Sequence, residues 1–345
     1  MNQKNHPIRL DDLAEALHVS KVTISKALRD HPDISIATTQ RVKELAEKMG
    51  YMPNIMARTL SAHKSRTIGL VIPEIAHIFF ASIIDSIYDA AFENNYEIIL
   101  TVSQEQDERE KKHILSLLSM RVDGLIVSVT QQTNDLAIFE KVNELGVPLL
   151  FIDRTPKMPN ISSITVNDME GAFNAIEYGI KKGYTRIAHC GGYRNLNIGR
   201  DRYEGFMKAM NKHSIPVNDN WVIEGGLREE DGYNAFMKMY KNDKNNLPEY
   251  ILAISYPVAL GIYTAALEVG INIPSDIEIT CFGLNTFNKY APSIFNFVNQ
   301  PTKELGKKAF DFMIQQIDGT GPFLPKNIVL DTELIINHYI VQKSD

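Results

Sequence analysis

The sequence predicts an N-terminal all-α helix-turn-helix head followed by an α/β body of two doubly wound parallel-sheet subdomains. Three observations predict it. Residues 8–50 carry short amphipathic segments and no strand-like run, whereas from residue 66 onward Val- and Ile-rich runs alternate with amphipathic stretches. Strand–helix alternation gives parallel sheets with right-handed crossovers, and about ten such units exceed one comfortable sheet. The length of 345 residues suits two or three domains.

The head reads as helices over residues 11–17, 21–28 and 37–49, the last closed by Gly50. A linker, 51–66, follows, in which Asn54 can cap a short helix after Pro53. Seven residues are too few for that helix to stand alone. In the body, residues 67–72, 96–102, 122–129, 147–152 and 161–166 read as buried strands, with helices over 79–94, 107–120 and 135–145. The alternation resumes with strands at 186–190, 250–255 and 277–282, and helices at 172–182, 202–213, 231–241, 258–269 and 303–317. The expected division is 1–50 for the head, 51–66 for the linker and 67–345 for the body. Within the body, one subdomain takes about 67–161 plus 299–325 and the other about 162–298 plus 326–345. Open parallel sheets bind ligands outside the carboxyl ends of their strands, so binding residues are expected just after Ile72, Ile152, Cys190, Ser255 and Phe282.

Hydrophobic residues make up 44% and charged residues 23%, an ordinary globular balance. Cys190 and Cys281 cannot build a disulfide framework, no Cys/His cluster suggests zinc, and a reducing cytoplasm is expected. Residues 1–12 lack the apolar core of a signal peptide, and no run approaches the roughly 18 apolar residues of a membrane span. The net charge of −6 hides an asymmetry: residues 1–65 hold 10 Lys+Arg against 7 Asp+Glu, and the remainder 26 against 35. That distribution points to the head alone as the part that meets a polyanion.

Enzyme signals are weak. No G-x-G-x-x-G follows the strand ending at Ile72, and Gly191, Gly192 and Gly199 have the wrong spacing for a dinucleotide turn. No P-loop, G-x-S-x-G elbow or paired-carboxylate motif appears. Asp153, His189 and Ser255 each stand at a strand end, but their spacing makes no triad. No catalytic role, metal or cofactor is expected.

In the head, Leu13, Leu17, Val19, Ile24 and Leu28 can pack two helices across a tight turn, with Ala14 small where they cross. Ser20 can cap the second helix, whose first turn exposes Lys21 and Val22, with Ser25 and Lys26 about one turn later. A second helix presenting its N-terminal side chains to the major groove is the helix-turn-helix docking mode. A generic three-helix cap with a solvated polar face would show the same segment.

Longer stretches separate the two readings. Val19-Ser20-Lys21-Val22-Thr23-Ile24-Ser25-Lys26, then Ile34-Ser35-Ile36-Ala37-Thr38-Thr39-Gln40-Arg41-Val42, then Gly50-Tyr51-Met52-Pro53-Asn54-Ile55-Met56-Ala57-Arg58-Thr59-Leu60 follow one another. In this order they resemble the head of the LacI/GalR family of bacterial transcription regulators, and with the body the resemblance covers essentially the whole chain. It implies a body of the type I periplasmic-binding-protein-like fold. It also implies that Lys21, Val22 and Lys26 read base edges, that Thr23 and Ser25 steady the helix, and that Thr39 and Asn54 contact phosphates. Leu60 would wedge a minor-groove base step, with Ala57 kept small so that paired hinge helices can approach. Three departures stand out: His18 for a turn glycine, Lys26 for an arginine, and Ile36-Ala37 read as lengthening the third motif by one residue, which selects Thr39 over Thr38.

The body resemblance runs through Ile75-Ala76-His77-Ile78-Phe79-Phe80, Val147-Pro148-Leu149-Leu150-Phe151-Ile152-Asp153-Arg154 and Arg202-Tyr203-Glu204-Gly205-Phe206. It continues through Asn299-Gln300-Pro301. Tyr256 stands where the family has an aspartate, and Asn285 is a weak substitute for a second missing acid. The implied effector-binding residues are His77, Phe79, Asp153, Arg202, Leu227, Tyr256 and Asn285. Phe80 reads equally as core, whereas Arg202 is the foremost candidate for an effector contact in the body, with a structural ion pair as the lesser alternative. The resemblance implies a regulator, by default a repressor, acting as a homodimer on a near-palindromic double-stranded DNA operator. Its effector would be a sugar or related metabolite, and no membrane is involved. A cytoplasmic small-molecule binding protein with a vestigial head is the alternative; an enzyme on the same scaffold is a third reading.

Overall fold

A computed structural model describes residues 8–52, 64–75, 78–283, 294–319 and 325–337. Asn54, Ala57 and Leu60 of the linker, and His77 and Asn285 of the body, lie outside the described residues. The chain divides into two compact units between Ser65 and Arg66.

The head contains α1 (Leu10–Leu17), α2 (Lys21–Ala27) and α3 (Ile36–Met49). Leu13, Ile24, Ala27 and Val42 are fully buried at its centre. The turn between α1 and α2 is closed by His18 in the left-handed region, φ 55° and ψ 42°, where a glycine is usual and a histidine is tolerated. Ser20 caps α2 by accepting from the Thr23 N–H at 3.1 Å. Ser35 caps α3 in the same way, accepting from the Thr38 N–H at 3.2 Å. The cap-to-third-residue spacing is therefore identical in α2 and α3. The inserted residue expected around Ile36-Ala37 does not exist; Thr38 occupies the position equivalent to Thr23, and Thr39 follows it half-buried in the first turns of α3.

The body begins with β1 (Thr67–Ile72), α4 (Ile78–Glu93), β2 (Glu97–Val102), α5 (Asp107–Ser119), β3 (Gly124–Val127), α6 (Ala137–Glu144), β4 (Leu149–Ile152) and β5 (Ser162–Val166). It continues with α7 (Asp168–Lys181), β6 (Ile187–Gly192), α8 (Asn197–Lys212), β7 (Val222–Gly225), α9 (Glu229–Asn242), β8 (Tyr250–Ala253), α10 (Tyr256–Glu268) and β9 (Glu278–Gly283). The described residues close with β10 (Asn296–Asn299), α11 (Thr302–Asp318), β11 (Asn327–Leu330) and β12 (Glu333–Ile335). Two six-stranded sheets result, in the orders β11-β5-β4-β3-β1-β2 and β12-β10-β9-β8-β6-β7. All pairings are parallel except β10 with β12. Strands such as Gly124–Val127 and Tyr250–Ala253 are buried along their whole length, which is why they read as unbroken apolar runs.

The subdomain boundaries fall later than the sequence suggested. Both Ser162–Val166 and Asn327–Leu330 belong to the first sheet, where they pair with each other, so the chain leaves that sheet after Val166 and again after Leu330. The misreading has a physical source. Parallel neighbours normally need a crossover of about a dozen residues or more, whereas β4 and β5 are joined by 153–161, which is shorter and holds Pro156 and Pro159. Such a stretch reads as a linker between domains. The short strands β7, β10, β11 and β12 were not legible as strands either.

One glycine fixes the second subdomain. A Cβ on Gly205 of α8 would lie 2.2 Å from the Met169 carbonyl of α7, so only glycine lets these helices approach as they do. Arg202, one turn earlier on α8, takes its position from that contact.

Candidate functional site

In the head, α2 presents its first turn outward: Val22 is 65% exposed, and the Lys21 ammonium is held by Asp11 of α1 at 2.8 Å. Lys26 pairs with Asp33, in the turn before α3, at 2.6 Å. The Ser25 hydroxyl accepts from the Arg29 guanidinium at 3.1 Å, and the Thr23 hydroxyl shares a 2.8 Å hydrogen bond with Ser20. Thr23 and Ser25 thus brace α2, while Lys21, Val22 and Lys26 face outward.

The body holds a cavity of about 400 Å³ between its two sheets. Phe79, Asp153, Arg202, Leu227 and Tyr256, five of the residues singled out from sequence, all line it. Asp153, Leu227 and Tyr256 arrive from the ends of β4, β7 and β8, as expected for ligand positions in open parallel sheets, while Phe79 comes from the start of α4 and Arg202 from the second turn of α8. Sequence reasoning missed several other lining residues, among them Glu74, Arg228 and Gln300. Gln300 could have been found, because it follows β10 in the Asn299-Gln300-Pro301 motif already noted. Arg228 could not, because β7 ahead of it is too short and too polar to read as a strand.

Asp153 caps the end of β4 with its backbone left-handed at φ 59°. Burial pushes its carboxyl up to about 6, against the pull of the Arg154 and Arg202 guanidiniums. Arg154 is itself fixed by Glu105 at 2.6 Å, both side chains being nearly inaccessible. Arg202 donates to Asp168 at 2.7 Å and to the Ile254 carbonyl, and its guanidinium lies 3.8 Å from the centre of the Phe282 ring. It is therefore both a structural ion-pair partner and a cavity wall; the two readings of the sequence coincide. The Gln300 amide nitrogen is buried beside the cavity with no hydrogen-bond partner.

Polar links join the two sides of the cleft. Arg228 reaches Glu74 at 3.2 Å, and the Asn195 amide donates to the Gln131 carbonyl at 3.0 Å. Asn197, at the start of α8, donates to the Asp153 carbonyl at 2.9 Å and accepts from the Thr155 N–H at 2.9 Å. These contacts tie the end of β4 to the second subdomain.

His189 on β6 does not join the site. It stacks on Phe206 at 5.2 Å, and burial with the nearby Arg194 charge holds its imidazole down to about 3. Cys190 is buried, its thiol pushed up to about 12 by that burial, and the Ser255 hydroxyl caps α10. Asp153 and Ser255 line the same cavity, but His189 is not among its lining residues, so the three do not come together. Among the described residues no group of three His, Cys, Asp or Glu side chains could hold a metal, and no helix is long and apolar enough to cross a membrane.

A helix-turn-helix unit on a two-sheet body with a cleft cavity defines a ligand-responsive DNA-binding regulator. Residues 9–54 match the bacterial regulatory proteins of the lacI family, and residues 65–344 match the periplasmic binding proteins and sugar-binding domain of the LacI family. The chain belongs to the LacI family of DNA-binding transcriptional regulators. It is 27% identical over 334 residues to the HTH-type transcriptional repressor PurR of Actinobacillus pleuropneumoniae, covering 96% of this chain and 98% of that one. It is 28% identical over 312 residues to catabolite control protein A of Priestia megaterium, covering 90% and 93%. Among solved structures, a putative ribose operon repressor from Burkholderia thailandensis is 26% identical with a TM-score of 0.70, covering 79% of this chain and 99% of that one. The lac repressor dimer bound to operator and an anti-inducer shares the fold across 96% of this chain and 98% of its own at TM-score 0.83 and 24% identity.

Proposed function

We propose that this protein is a repressor that binds a near-palindromic operator as a homodimer and is controlled by a small metabolite, a sugar or a related compound, in the cleft cavity. Its place of work is the cytoplasm, and it carries out no turnover. In the head, Lys21, Val22 and Lys26 read base edges, Thr23 and Ser25 set the attitude of α2, and Thr38, which holds the position first assigned to Thr39, meets phosphates together with Asn54. Ala57 and Leu60 form the hinge contact in the minor groove. In the body, Phe79, Asp153, Arg202, Leu227 and Tyr256 hold the effector, joined by His77 and Asn285 from segments outside the described residues.

The observation that carries this reading is the convergence on one cavity of five separately positioned side chains that the resemblance to the same family as the head had singled out. Cleft closure by a ligand alters the separation of the two chain segments leading to the head, which is how a small molecule far from DNA controls the grip. Glu74–Arg228 and Gln131–Asn195 are the contacts that such a movement exchanges.

The test is selection of duplexes from a random pool by the purified full-length protein, followed by a metabolite screen for a change in retention. A paired half-site motif that one metabolite releases or tightens is expected. Retention of no duplex, with or without extract of its own cell, overturns the proposal. Leu60→Ala should weaken selected sites more than scrambled ones; equal losses would remove the hinge from the account.

A further inference from the structure

The head is less basic than its role suggests. Residues 8–52 hold 7 Lys+Arg and 7 Asp+Glu, so the three-helix unit is electrically neutral. Of the four lysines in that span, three are held by aspartates: Lys21 by Asp11, Lys26 by Asp33, and Lys43 by Asp30 at 2.7 Å. The first two are the lysines of the outward face of α2. Their partners do not come from α2: Asp11 sits on α1 and Asp33 in the turn before α3, so the packing of the head fixes where each carboxylate stands.

We propose that Asp11 and Asp33 set the sequence discrimination of the head by competing with DNA for Lys21 and Lys26. This rests on the reading of those two lysines as base-edge contacts.

Both pairs are solvent-exposed, with side-chain accessibilities of 57% and 63% for Lys21 and Asp11, and 34% and 58% for Lys26 and Asp33. Pairs in that setting contribute about 0–1 kcal/mol and exchange readily. A guanine edge offers a lysine two convergent acceptors, O6 and N7, which can replace the carboxylate. An A·T edge lacks that convergent pair, offering only adenine N7 beside an amino donor or a lone thymine O4, so it replaces the carboxylate less well and the diffuse phosphate field must do more of the work of drawing the lysine away. The carboxylate left behind also faces the phosphates and repels them. The acids therefore cost more on a wrong site than on a right one, which widens the gap between the two. Asp33 is held below the usual carboxylate range, first by its hydrogen bond with Lys26 and then by the Lys26 charge, so it stays ionised at neutral pH.

The experiment uses the full-length protein with Asp11→Asn, Asp33→Asn, the double variant, and Asp30→Asn as a control of equal charge change away from α2. Equilibrium binding is measured on the selected duplex and on a scrambled duplex of the same length and composition, across a salt series. For Asp11→Asn and Asp33→Asn, binding to the scrambled duplex should rise about five- to tenfold near 0.1 M salt. The slope of log K against log salt should steepen by about 0.9 per released lysine. Binding to the selected duplex should change by about threefold or less, so the specificity ratio falls. Asp30→Asn should leave the ratio near that of the parent. Equal gains on both duplexes, or an equal fall in the ratio for Asp30→Asn, would show that net charge alone is at work and would overturn the inference while leaving DNA binding intact. A parent protein that retains no duplex overturns both.

Discussion

Head and body use the same ion-pair chemistry in opposite settings. In the head, Lys21–Asp11 and Lys26–Asp33 lie in water, where a partner is easily exchanged for another. In the body, Arg202–Asp168 and Arg154–Glu105 are almost inaccessible, with side-chain exposures between 2% and 6%. Removing one member there strands a charge in a poorly polarisable interior. Exposed pairs suit a surface that must release its own acids to meet a polyanion. Buried pairs suit a cavity wall that must keep its shape with or without an occupant. The contrast gives each region a distinct response to substitution.

The largest expected effect tests the buried side. Arg202→Ala leaves Asp168 without its partner, and the body should lose about 3–5 kcal/mol in chemical denaturation. If the pair serves only as scaffold, Arg202→Leu combined with Asp168→Leu should recover most of that loss, because burying two apolar groups avoids the desolvation cost. Effector response should not return with it. Recovery of both would show that Arg202 does not touch the effector.

Asp153 sharpens the comparison in the other direction, because its carboxyl is buried with its nearest guanidinium nitrogen at 3.8 Å rather than in hydrogen-bond contact. Its folded value of about 6 lies above the ordinary 3.8, so the folded body binds a proton that the unfolded chain has already released. Stability from this group is complete below pH 3.8 and is lost as pH rises through 6. Asp153→Asn removes the ionisation and should stabilise the protein by about 2–3 kcal/mol at pH 7, with no gain at pH 3.5. Urea melts at the two pH values measure it; an equal gain at both would mean that packing, not charge, is responsible.

Much of this was legible in the sequence. The alternation of Val- and Ile-rich runs with amphipathic stretches specified two parallel sheets, because buried parallel strands have no polar face to interrupt them. The cavity positions of Phe79, Asp153 and Tyr256 were also legible, since each follows a readable strand or opens a helix, whereas Arg202 was found through its Arg202-Tyr203-Glu204-Gly205-Phe206 motif. What was hidden depended on partners far away in the chain. Asp168 as the partner of Arg202, Glu74 as the partner of Arg228, and Asn197 between Asp153 and Thr155 have no local signature. The subdomain boundary after Val166 was hidden for a different reason: 153–161 joins two neighbouring parallel strands without a helix, against the usual pattern.

A smaller effect tests the head. Ser35 caps α3 with the same geometry by which Ser20 caps α2, so Ser35→Ala and Ser20→Ala should each cost the head about 1 kcal/mol. The body's transition should not move. Unequal costs would indicate that the shared register of Ser20–Thr23 and Ser35–Thr38 is not matched by shared energetics. Calorimetry of the full chain, with the head and body transitions followed separately, reads this directly.

The smallest change in stability belongs to the cleft, which combines features of both settings. Arg228 is 58% exposed at its side chain, like the lysines of the head, while Glu74 is 19% exposed, nearer to the acids of the body. Arg228→Ala should therefore shift unfolding by about 1 kcal/mol or less. The pair spans the two subdomains, so the same fraction of a kilocalorie acts on the balance between cleft states. A bias of 0.5–1 kcal/mol corresponds to about a two- to fivefold change in that balance. The effector midpoint for change in DNA retention should move by that factor, while retention without effector changes little. An unmoved midpoint with an intact melt would show that Glu74 and Arg228 meet at the cleft without influencing its closure.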